Sequence, residues 1–141
     1  MTQTIKTDIV IVGAGPVGLS LFLAFTQHNY RVLLLESKSP DAIGMFPKTS
    51  VLETLGVDSR NYALTPENVA WLESLGVAAE DIRQEGTPME AMHVVYEAGS
   101  ASFELSAHQV RQPYLAWMLR HDRLCHALWK RVCNAPLGAK S

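Results

Sequence analysis

DIVIVGAGPVGLSLFLAFTQHNYRVLLLE, residues 8–36, opens with a short β-branched run and breaks at Gly13. A continuous apolar run of that length, ended by glycine, reads as a parallel strand buried on both faces. Pro16 then stands where a helix begins, since its missing N–H is one that the first turn leaves unpaired anyway. Val17, Leu21, Ala24 and Phe25 follow at helical spacing and predict one apolar face. A second apolar run, Tyr30 to Leu35, closes at Glu36. Strand, helix and strand make a βαβ unit, whose strands must be parallel because a helix connects them.

The turn between the first strand and the helix is Gly13-Ala14-Gly15-Pro16-Val17-Gly18, the G-x-G-x-x-G pattern. Bare matches to it are common, but here a strand precedes it, a helix follows it, and Glu36 closes the second strand, which is the context a dinucleotide site requires. Each position has its own task. Gly13 allows the tight turn, Gly15 lets a pyrophosphate approach the backbone, and Gly18 lets helix and strand pack closely. Pro16 and Val17 open the helix, whose N-terminus supplies unpaired N–H groups and partial positive charge. Glu36 accepts hydrogen bonds from ribose hydroxyls and repels a 2′-phosphate, so the site prefers FAD or NAD over NADP. The fingerprint alone does not choose between those two. The fold class expected is α/β, a Rossmann-like dinucleotide-binding βαβ unit.

Downstream, Pro40, Gly44, Pro47 and Gly56 punctuate a loop with one short helix expected around Val51 to Leu55. A firmer helix has Thr65 as N-cap, Pro66 at its first position, Glu67 in its first turn, Val69, Leu72 and Leu75 on one face, and Gly76 as its stop. Met92–Tyr96 and Ala101–Leu105 alternate in polarity around a glycine-bearing loop and predict an added β-hairpin. Beyond Pro113 the chain is expected to be helical, with Leu124, Leu128, Trp129 and Val132 as an apolar stripe. Trp71, Trp117 and Trp129 are expected to pack from helical positions.

Composition narrows the classes. The 141 residues are 48% hydrophobic and carry a formal net charge of -2. A chain of this size buries roughly 70% of its unfolded surface, which argues against disorder. The 12 basic residues are scattered, so there is no electrostatic footprint for a nucleic acid. Cys125 and Cys133 lie eight positions apart on one helix, about 12 Å along its axis, too far to bridge. Unbridged thiols fit a reducing, cytoplasmic compartment. The apolar stretch Val17–Phe25 is too short for a transmembrane segment, and His93, His108 and His126 lack metal-ligand spacing.

The opening stretch resembles the flavin-dependent aromatic hydroxylases. More narrowly, SRNYALTPENVAWLESLGV (59–77), the entry to the hairpin and HDRLCHAL (121–128) resemble the ubiquinone-biosynthesis hydroxylases. The resemblance, over roughly residues 6–130, implies FAD as cofactor, NAD(P)H as transient reductant, and a small aromatic molecule as substrate. It also implies a cytoplasmic enzyme with peripheral contact at the inner face of the membrane. It assigns Arg60 to FAD, which agrees with the ability of a guanidinium to pair with a phosphate or ribityl oxygen. Asn29 stands where the family usually has glycine, and asparagine tolerates the left-handed turn needed there. Near residue 120, where the family carries a residue that reaches the pyrophosphate, position favours His121 and chemistry favours Arg120. The resemblance further implies that residues 1–141 are the N-terminal portion of an FAD-binding domain. The substrate domain and second flavin-binding stretch of relatives have no counterpart here, so the 141 residues are expected to bind FAD without turnover.

Overall fold

The computed structural model describes residues 4–39, 60–96 and 102–135. The expected helix around Val51 to Leu55 and the loop of the hairpin lie outside them. Strand β1 (Ile9–Val12), helix α1 (Pro16–Gln27) and strand β2 (Val32–Leu35) form the expected βαβ unit, with β1 and β2 parallel and Ile9 opposite Val32. Asn29 takes the left-handed conformation, φ 64°, in the turn into β2. At the N-terminal ends of the two strands an exposed ion pair forms, in which the Arg31 guanidinium donates to the Asp8 carboxylate at 2.7 and 3.1 Å. That contact, together with the Arg31 amide, lowers the Asp8 pKa from 3.8 to about 2.

After β2 come β3 (Asn61–Leu64), α2 (Pro66–Ser74), α3 (Ala79–Arg83), β4 (Thr87–Met89), β5 (Ala91–Val95), β6 (Ser102–Ser106), β7 (Ala116–Arg120) and α4 (His121–Asn134). Helix α2 is built as its sequence dictates. The Thr65 hydroxyl accepts from the Asn68 amide, Val69, Leu72 and Leu75 are buried, and Gly76 ends the element at φ 83°. Strands β5 and β6 pair antiparallel as the added hairpin, with His93 opposite Glu104.

Three expectations are corrected. First, the segment beyond Pro113 is not helical throughout. Ala116–Arg120 is a strand at the centre of an antiparallel sheet ordered β3-β7-β4, and the helix starts only at His121. Trp117 therefore packs from a strand, its indole N–H donating to the Ile82 carbonyl at 3.2 Å, and Trp71 on α2 is exposed. Trp129 does pack against the core. Second, α1 buries Leu19, Phe22 and Leu23, whereas Val17 and Leu21 face outward. The helix is apolar almost all round, so periodicity could not choose its face; packing against α4 does. Third, β1 is covered on one face among the described residues: Ile11 is buried, and Val12 is 83% exposed.

The core that results joins both halves. Ala14 from the glycine turn, Leu19 and Leu23 from α1, Leu119 from β7, and Leu124, Ala127 and Leu128 from α4 form one cluster with Val69, Leu72 and Leu75. Fully burying each leucine is worth about 1.5–3 kcal/mol, so Ala14 seats the glycine turn on a well-packed core. Among the described residues no helix is long and apolar enough to cross a membrane.

Candidate functional site

The three motif glycines occupy three different physical situations. Gly13 sits at φ 101°, a conformation that side-chain-bearing residues rarely adopt. A Cβ on Gly18 would lie 1.9 Å from the Gly13 carbonyl oxygen, so helix and turn touch there with no room for a methyl group. Gly15 has ordinary extended backbone, φ -74° and ψ -177°, and a Cβ on it would meet nothing within 4 Å. Neither the backbone conformation nor internal packing requires glycine at this position. What glycine provides there is open space beside the start of a helix.

The backbone donors of the turn complete the picture. The Gly13 amide donates to the Leu35 carbonyl (2.7 Å), the Ala14 amide to Glu36 Oε2 (2.8 Å) and the Leu19 amide to the Gly15 carbonyl (2.9 Å). Pro16, at the first helical position, has no N–H to give. The amides of Gly15, Val17 and Gly18 have no acceptor among the described residues, and α1 has neither a side-chain cap nor an acidic residue in its first turn. Unpaired N–H groups, the positive end of the helix dipole and open space at Gly15 make a seat for an anion. Val17, 73% exposed, borders it.

Glu36 is exposed, and its carboxylate accepts from Ala14 and, through Oε1, from the Lys38 amide at 3.0 Å. The Ala14 bond and then the Lys38 bond hold its pKa below the usual carboxylate value. It is thus ionised at neutral pH and keeps lone pairs for further donors.

Residues 60, 120 and 121 meet across the β3-β7 pair. Asn61 lies opposite Arg120, and the His121 amide donates to the Arg60 carbonyl at 2.9 Å. The Arg120 side chain, 40% exposed, forms a two-pronged pair with Asp122, Nε to Oδ1 at 3.0 Å and Nη2 to Oδ2 at 2.8 Å. Asp122 is buried, and Arg123 Nε lies 3.8 Å from it. His121 is 6% exposed: Nδ1 is 3.0 Å from the Tyr62 hydroxyl and Nε2 is 3.4 Å from Cys125 Sγ.

Sequence reasoning missed Ala14, Asp122, Tyr62 and Cys125. Asp122 carries no signal in a linear reading, because its role depends on the strand-to-helix junction that brings it back onto Arg120. Cys125 and His121 are four apart on α4, a helical spacing that does place them together. Among the described residues no group of His, Cys, Asp and Glu is arranged to hold a metal ion.

A family model described as FAD binding domain matches residues 6–132. The chain is 29% identical over 134 residues to 3-demethoxyubiquinol 3-hydroxylase of Escherichia coli, covering 89% of this chain and 30% of that protein. It is 26% identical over 105 residues to p-hydroxybenzoate hydroxylase of Acinetobacter baylyi, covering 74% and 23%. Among solved structures, p-nitrophenol 4-monooxygenase PnpA from Pseudomonas putida superposes with a TM-score of 0.67 at 24% identity, over 96% of this chain and 31% of that one. The flavin-dependent monooxygenase PieE, solved with FAD and substrate, superposes with a TM-score of 0.64 at 19% identity, over 96% and 23%. The chain spans under a third of the length of these relatives. The resemblance to aromatic hydroxylases read from residues 59–77 and 121–128 is borne out by the relatives matched, and the match over residues 6–132 places the chain in the FAD binding domain family.

Proposed function

We propose that residues 1–141 are the N-terminal portion of the FAD-binding domain of an NAD(P)H-dependent monooxygenase that hydroxylates a small aromatic substrate in ubiquinone biosynthesis. The observation that carries the reading is the group of uncommitted amides at Gly15, Val17 and Gly18 beside a Gly15 that borders open space. In this reading those amides hold the pyrophosphate of FAD, Gly13 sets the turn, Pro16 starts the helix without wasting a donor, and Glu36 accepts from the adenosine ribose. Bound FAD would supply the redox chemistry, taking a hydride from NAD(P)H and activating O₂ toward the ring. The chain's own part is to bind and orient the cofactor.

Arg60 and Arg120 provide the cations. Arg120 is favoured over His121 because the histidine is buried with both ring nitrogens engaged, whereas the arginine is half-exposed and has donors beyond those given to Asp122. In this reading the enzyme is cytoplasmic and makes peripheral contact with the inner face of the membrane, where it would meet a quinol precursor of the kind one relative is named for. Cosedimentation with anionic vesicles checks that placement.

The test is a flavin fluorescence titration of the purified chain. FAD binding that ADP displaces and FMN does not is the expected result, since ADP carries the adenosine and pyrophosphate and FMN has neither. Equal affinity for FAD and FMN, with no competition by ADP, refutes the assignment. Supplied with NAD(P)H and a phenol, these 141 residues should form no hydroxylated product, because a flavin without a shielded pocket reacts with O₂ unproductively.

A further inference from the structure

We propose that Glu36 is a positioning residue of the phosphate loop in addition to a reader of the ribose: its carboxylate anchors the Ala14 amide and so keeps the Gly15, Val17 and Gly18 amides grouped for the pyrophosphate. The ligand in this statement rests on the FAD reading above, whereas the anchor is a contact within the chain. Among the described residues three backbone amides tie the loop, Gly13 to Leu35, Ala14 to Glu36 and Leu19 to Gly15. Of these three amides only that of Ala14 ends on a side chain, and the Ser20 hydroxyl that donates to the Pro16 carbonyl at 2.7 Å lies within α1, so a substitution at Glu36 is the one that cuts a tie between the loop and β2.

Charge makes the placement informative. A carboxylate beside an anion seat repels the anion, and by taking the Ala14 N–H it also withdraws a donor from the phosphate. If electrostatics alone mattered, removing the Glu36 charge would strengthen the grip on phosphate. If anchoring matters more, removal loosens the loop and weakens it. The two effects have opposite signs, and the second Glu36 contact favours anchoring: Oε1 is fixed by the Lys38 amide, so the carboxylate is held from behind while Oε2 holds Ala14.

The experiment compares the full chain with its Glu36→Ala and Glu36→Asp variants. The aspartate keeps the charge but retracts it by one methylene, so it separates reach from charge and stands in if the alanine variant fails to fold. The first measurement is amide hydrogen exchange at Ala14, with the Ile9 and Val69 amides, which donate to the Arg31 and Thr65 carbonyls, as controls for the fold. Loss of a hydrogen bond to an ionised acceptor should speed Ala14 exchange about tenfold or more in both variants while the controls hold. The second is the ratio of ADP to adenosine affinity. Both ligands present the same ribose, so a role confined to the ribose leaves the ratio unchanged, whereas a loosened loop lowers it by about threefold to tenfold. Unchanged Ala14 exchange, or a ratio that stays level or rises, overturns the proposal. Failure of the parent chain to bind either FAD or ADP would instead sink the FAD reading, and Ala14 exchange would still judge the anchor.

Discussion

Replacing Gly15 with valine and, separately, Gly18 with alanine pulls apart two tasks that the motif runs together. At Gly15 the backbone is extended and a Cβ meets nothing within 4 Å, so the valine enters without a clash. Losing glycine at the N-cap costs up to about 1 kcal/mol, and the stiffer unfolded chain returns about 0.4–1 kcal/mol. Stability should thus stay within about 1 kcal/mol and the melting temperature within roughly 4 °C. The isopropyl group, however, takes the space through which a phosphate reaches the Gly15, Val17 and Gly18 amides. Losing even one charge-assisted hydrogen bond is worth about 1.5–3 kcal/mol, so FAD affinity should fall at least about tenfold. At Gly18 the outcome reverses. Alanine gains about 1 kcal/mol of helix propensity, but its methyl sits 1.9 Å from the Gly13 carbonyl oxygen, a backbone atom that cannot swing aside. Overpacking of that kind commonly costs about 3 kcal/mol at the upper end, which leaves a net loss of about 2 kcal/mol and a melting temperature lower by roughly 6–10 °C. Differential scanning fluorimetry and flavin titration read both. Unchanged FAD affinity in Gly15→Val, or an unshifted melting temperature in Gly18→Ala, would refute the division of labour.

Other consequences follow from single contacts. Because the Asp8 pKa is lowered to about 2 in the fold, against 3.8 ordinarily, its pair with Arg31 stabilises the fold fully above pH 4 and loses that effect as pH falls toward 2. Urea midpoints across that window should decline less steeply in Asp8→Asn, and parallel declines would disprove the linkage. Thr65→Ala removes the side-chain cap of α2 and should cost about 1 kcal/mol, seen as a melting temperature lower by roughly 3–4 °C with FAD affinity unchanged. Arg120→Gln should weaken FAD binding with only a modest change in stability once Asp122→Asn is made alongside it, so that no buried carboxylate is left with only the 3.8 Å approach of Arg123. His121→Gln should act the other way round, lowering the melting temperature more than the affinity. The reverse pattern in flavin titrations would reassign the phosphate contact to His121.

The amino-acid sequence by itself determined the βαβ unit, the glycine turn, the capped helix α2 and the hairpin, because each rests on local chemistry: which residues permit a left-handed turn, which start a helix, and which alternate across a strand. It also determined the family, through residues spread over the whole chain. Only the tertiary structure decided which face of α1 is buried, because a helix apolar all round carries no preference until α4 packs against Leu19 and Leu23. It made a strand of Ala116–Arg120, whose apolar side chains fit either period until β3 and β4 pair with it. And it separated Arg120 from His121. Adjacent residues at a strand end point to opposite sides, so one is drawn into the core with Tyr62 and Cys125 while the other stays at the surface, held by a buried aspartate that no linear pattern connects to it.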